Sequence, residues 1–148
     1  MSCDAVASAA VLWLAAMAPG DAMKPELSMP PPAVALEPLF ADIVRRAGVL
    51  KAEVEAFRSG GKALPADFAQ KVAELSELDM KGHFTLAERG TDGDLKCILK
   101  GIAEDLPVKL AALKMAATPE ARAEALTDMA YLLNDNVEVI TAPPQPAA

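Results

Sequence analysis

The sequence predicts an all-α fold: an antiparallel four-helix-bundle-like domain with an extra N-terminal apolar helix and a Pro-rich linker. Three observations carry that expectation. Phe40, Ile43, Ala47, Leu50, Val54 and Phe57 recur at steps of three and four residues, the seam that a helix turns toward a partner helix. Apolar residues make up 53% of the chain and aromatic ones only 4%, and much of the apolar mass is alanine and leucine, the strongest helix formers. The breaks between the periodic segments are only a few residues long, which favours antiparallel neighbours.

Residues 1–18 read as the N-terminal apolar helix, buried in the fold or covered by a partner, with Leu12 and Trp13 as partner-binding residues. The apolar run, residues 5–18, is too short to cross a bilayer, which takes about 20 residues. An export signal and a membrane-surface helix are the alternatives. Ala16-Met17-Ala18 has the small residues of a cleavage site, but no Lys or Arg precedes the run and Asp4 carries the opposite charge. Met17, Met23 and Met29 are further candidate starts, any of which would shorten or remove the run. Residues 19–35 form the linker: Pro19-Gly20, Pro25 and Pro30-Pro31-Pro32 forbid helix and hold the backbone extended.

Residues 36–140 are the bundle. Its first helix runs from about Glu37 to Arg58, with Pro38 in the first turn, and stops at Ser59-Gly60-Gly61. The second opens near Pro65-Ala66 and buries Phe68, Val72, Leu75 and Leu78; Gly82 weakens it, leaving His83–Arg89 as a short helix or a kinked end. The third starts at an Asp92 or Asp94 cap and buries Leu95, Ile98, Leu99, Ile102, Leu106, Leu110 and Leu113, with a kink at Pro107. The fourth starts at Thr118-Pro119-Glu120 and buries Ala125, Met129, Leu132 and Leu133. Asn134-Asp135-Asn136 favours an end there, so Val137–Ile140 reads as a last turn or a packed extended tail. Residues 141–148, rich in Pro and Ala, read as a disordered tail; the final Ala-Ala resembles the small apolar tails read by bacterial ATP-dependent proteases.

Composition excludes several chemistries. A formal charge of −7 with no basic patch disfavours nucleic acid. Two cysteines and one histidine are too few for a closed zinc site or a pair of Glu-x-x-His motifs, so no metal and no cofactor is expected. Cys3 and Cys97 read as two unpaired thiols. Cys97 could act as a nucleophile only with His83 as its base; its plainer role is a small buried side chain. Asp92-Gly93-Asp94 and the run Asn134–Glu138 gather oxygen ligands but lack the alternate acids and central glycine of a calcium loop. Lys81-Gly82-His83-Phe84 on a four-helix architecture resembles a phosphotransfer bundle, in which a helical histidine accepts a phosphoryl group. In that pattern the lysine and glycine follow the histidine, whereas here they precede it.

The expected function is a small acidic helical protein-interaction module, an adaptor, chaperone or regulatory subunit of bacterial type, cytoplasmic and without catalytic activity. Its partner is another protein or a second copy of the chain, met by Leu12, Trp13, Arg45 and Arg46. The alternatives are a small-molecule-binding bundle, with Met80, Met115 and Met129 lining an apolar pocket, and a phosphotransfer-like signalling protein. Membrane contact through residues 5–18, or export directed by them, is a further alternative.

Overall fold

The computed structural model describes residues 32–60, 62–90 and 93–142. A 3-10 turn, Ala33–Leu36, leads into four helices: α1 (Pro38–Arg58), α2 (Phe68–Glu88), α3 (Leu95–Met115) and α4 (Pro119–Thr141). No strand occurs among the described residues. The apolar run with Leu12 and Trp13, nearly all of the Pro-rich linker and residues 143–148 lie outside them.

The cross-links between helices give the topology. Arg46 and Lys71 tie α1 to α2 through Arg46–Glu74 at 2.9 Å and Lys71–Glu53 at 2.7 Å, so residue number rises along one helix as it falls along the other. The same inversion relates α2 and α3, where Ser76 bonds the Ala103 carbonyl and His83 the Lys96 carbonyl. Each helix packs on its two neighbours in the order α1, α2, α3, α4 and back to α1, which leaves α1–α3 and α2–α4 as the diagonals. The fold is an antiparallel four-helix bundle, as the apolar spacing predicts.

Local chemistry sets the helix ends. Pro38 and Pro119 stand in the first turns of α1 and α4, where a missing N–H leaves no bond unmade. Thr118 caps α4 by accepting the Ala121 N–H at 3.1 Å, and Glu120 lies against the positive end of the helix dipole. Gly60 and Gly90, just beyond α1 and α2, have φ of 77° and 64°, a conformation that costs a side-chain-bearing residue. The core follows the α1 seam: Phe40, Ile43, Ala47, Leu50 and Val54 are buried, and Phe57 at the end of the stripe is half-buried. They pack against Val72, Leu75, Leu99, Leu106, Met129, Leu133 and Ile140 of the other helices.

Four local expectations are corrected. First, α2 continues through Gly82 to Glu88. A Cβ at Gly82 would lie 3.1 Å from Leu99, 3.3 Å from Phe40 and 3.4 Å from Ile43, so the glycine lets α1 and α3 close on α2. Its propensity cost of about 1 kcal/mol is outweighed by burial of the side chains that press on it. Secondly, the buried stripe of α2 runs Phe68, Val72, Leu75, Asp79, Gly82, Leu86, placing Asp79 where Leu78 was expected; Leu78 is half-buried. Thirdly, Asn134–Asn136 does not end α4, which runs on to Thr141, because Leu133, Asn136 and Ile140 keep the buried face in phase. Fourthly, the cysteines were expected as unpaired thiols, but Cys97 is disulfide-bonded; Cys3 lies outside the described residues.

Pro107 lies inside α3, which is assigned as one helix across it. Proline has no N–H to give the Ala103 carbonyl four residues back. The Ser76 hydroxyl on α2 donates to that carbonyl at 2.7 Å and supplies the bond the proline withholds.

Candidate interaction surface and the buried polar centre

Beside the α1–α2 connection, α1 carries an open furrow. Val49, Ala52, Ala56, Ala63 and Pro65, with Glu53 and Lys62 among them, line a depression of about 320 Å³. Val49 is 46% exposed, next to the buried Leu50. Beyond Val49 the furrow meets a smaller hollow of about 110 Å³, lined by Arg45, Arg46, Val49, Leu50 and Lys71. Two sequence-predicted partner-binding residues, Arg45 and Arg46, thus stand together beside an apolar furrow. The other two, Leu12 and Trp13, lie outside the described residues.

The cations of this hollow are engaged. Arg45 and Arg46 both bond Asp42, Arg46 also reaches Glu74, and Lys71 holds Glu53 and, at 3.2 Å, Asp67. The Arg45 hydrogen bond, seconded by Arg46, holds the Asp42 carboxyl below the usual carboxylate range. Hydrogen bonds to Asp42 and Glu74 raise Arg46, and those to Glu53 and Asp67 raise Lys71. These exposed pairs contribute little to stability. What they do is hold the long basic side chains in place.

A second depression, of about 270 Å³, opens at the end of the bundle where the α1–α2 and α3–α4 connections meet. Phe57, Leu64, Phe68, Leu110 and Leu113 form its floor, and Lys114 and Arg122 stand on its lining. The methionines expected to share a pocket do not converge: Met129 is fully buried, Met80 is half-buried and Met115 is 82% exposed.

At the bundle centre the sequence signal missed a polar pair. Asp79 of α2 and Asn136 of α4 are both fully buried, the only buried polar residues among those described, and the Asn136 Nδ2 amide donates to Asp79 Oδ1 at 2.8 Å across the diagonal. The apolar stripe predicts Leu78 at this level and passes over Asp79; the signal that could have placed it is its spacing, four from Leu75 and seven from Val72. His83 is half-buried, with Nδ1 2.6 Å from the Lys96 carbonyl, and its ring leans on Phe84 at 5.1 Å. The carbonyl can only accept, so Nδ1 carries the proton. Cys97, being disulfide-bonded, has no thiolate to offer His83, which removes the nucleophile reading.

No group of three or more His, Cys, Asp or Glu among the described residues could hold a metal ion, and no described helix is long and apolar enough to cross a membrane. No family model matches the chain, and neither the curated proteins nor the solved structures include a significant match to it.

Proposed function

We propose that the chain is a protein-interaction module, an adaptor, chaperone or regulatory subunit, and that the furrow between α1 and the α1–α2 connection receives its partner. The observation that carries this reading is the adjacency of an exposed Val49, the alanine-floored furrow and the Arg45–Arg46–Lys71 hollow. Small side chains admit a helix or extended segment closely, and basic groups at one end suit acidic residues on that segment. A photo-crosslinking residue at position 49 is expected to capture one discrete partner, either another protein or a second copy of the chain. The same residue at Val108, exposed on α3, serves as control. Equal labelling at both positions, or none at Val49, counts against the furrow; loss of the adduct in R45E/R46E supports it.

A second reading has its own observation. The end depression joins an apolar floor to Lys114 and Arg122, neither of which forms an ion pair with any described residue. That combination suits an amphiphile with an anionic head. Decanoate is expected to raise the melting temperature more than decanol does; no shift with either sets this reading aside.

The disulfide at Cys97 bears on the compartment. Disulfides persist in oxidising compartments and are rare in the cytosol, so the disulfide favours the exported alternative over the cytoplasmic one. Alkylation of native protein that blocks Cys97 only after reduction supports export. Blocking without reductant supports the cytoplasm.

A further inference from the structure

Asp79 and Asn136 leave two oxygens unaccounted for. Both residues are fully buried, and one hydrogen bond joins them, Asn136 Nδ2 to Asp79 Oδ1 at 2.8 Å. Asp79 Oδ2 and Asn136 Oδ1 are buried without a donor. Each is an acceptor, so neither can satisfy the other while Asp79 is ionised. One added proton changes this. A hydroxyl at Oδ2 would donate to Asn136 Oδ1 while Oδ1 keeps the bond from Nδ2, closing an acid–amide pair in which both orphans find partners.

We propose that Asp79 is a proton-binding site at the centre of the bundle, held as the neutral acid in the folded protein and returning a hydrogen bond to Asn136 Oδ1. Release of that proton to solvent leaves a carboxylate in an apolar core with one unpartnered oxygen beside a second. Release therefore loosens the α2–α4 diagonal.

The surroundings support this. Burial raises the Asp79 carboxyl against the lowering effect of the Asn136 hydrogen bond, and the two together leave it pushed up to about 7. No charged group is among the influences on Asp79. On α1, Arg46 holds Asp42 and Glu74, and Lys51 holds Asn134 Oδ1. On α3, Lys100 pairs with Glu104. On α2, His83 is bonded to the Lys96 carbonyl. On α4, Asp135 and Glu138 face each other near the surface, where burial and Glu138 raise Asp135. None of these groups pairs with Asp79, and none of the depressions described above includes Asp79 or Asn136 in its lining.

The sign follows from linkage. The folded carboxyl binds its proton more tightly than the unfolded one, whose ordinary value is 3.8. The stabilisation is complete below about 3.8, is lost progressively as pH rises toward about 7, and is gone above that. Between those limits each pH unit raises the unfolding constant about tenfold.

Asp79→Asn tests this, because an amide at position 79 reproduces the donor and acceptor of the neutral acid without titrating. Urea unfolding of wild type and D79N from pH 4 to pH 8 is expected to give nearly equal stability at pH 4. The ratio of their unfolding constants should then widen by about tenfold per unit until it levels near pH 7. Taking the ratio cancels the separate titration of Asp135. A ratio independent of pH, or a D79N less stable than wild type at pH 8, overturns the proposal. Should D79N not fold, the wild-type side-chain carboxyl carbon of Asp79, followed by NMR, decides. A midpoint near neutrality supports the site, and one at or below 4 overturns it.

Discussion

At the scale of the single residue, close approach decides what a substitution does. Gly82 is hemmed in by Leu99, Phe40 and Ile43, all fully buried, so a methyl there has no side chain free to yield. Gly82→Ala gains about 1 kcal/mol of helix propensity and loses about 1–3 kcal/mol to overpacking, for an expected net loss in chemical denaturation. Gly48 has nothing within 4 Å of its notional Cβ, and Gly48→Ala is expected to stabilise by about 0.5–1 kcal/mol. Opposite signs at two mid-helix glycines would confirm that packing, not propensity, holds α2 open to its neighbours. Thr118→Ala, removing the α4 cap, is expected to cost about 1 kcal/mol by the same measurement. Some of this was legible in the chain and some was not. Thr118-Pro119-Glu120 announces its cap because the signal is local. Gly82 misleads because its reason lies on two other helices, remote in sequence.

Elements show the same division. The α1 seam is legible to the residue because one apolar stripe faces one core. Helix α4 runs past Asn134-Asp135-Asn136, a run whose turn preference is local and weak beside the burial of Leu133, Asn136 and Ile140. Pro107 is compensated from another element. With proline at 107, the Ala103 carbonyl depends on the Ser76 hydroxyl; Ser76→Ala should therefore cost about 1–3 kcal/mol, the penalty for a buried polar group left unpaired. In a Pro107→Ala background the intrahelical N–H is restored and Ser76→Ala should be nearly silent. A double-mutant cycle measures the coupling; strict additivity would mean the serine and proline are independent.

For the whole molecule, the all-α class and the antiparallel order are legible, and the chemistry of the surface only partly so. Arg45 and Arg46 are identifiable as the densest basic pair in an acidic chain. The furrow beside them is not, because it arises from how the α1–α2 connection lies back against α1, which no single helix encodes. The polar centre is hidden for a different reason: a charged residue in an apolar register looks like an error until its partner, 57 residues away, is seen.

That diagonal bond also bears on how the chain chooses among its own alternatives. Four oily stripes can wind around one another in either rotational sense, or slide by a turn, at little difference in free energy, since leucine and valine do not specify a mate. An acid and an amide meeting only across the centre penalise each wrong winding by stranding both groups in hydrocarbon. Exchanging the two for leucines should raise the melting temperature while broadening the methyl NMR spectrum, the mark of a molecule that has gained cohesion and lost its single answer.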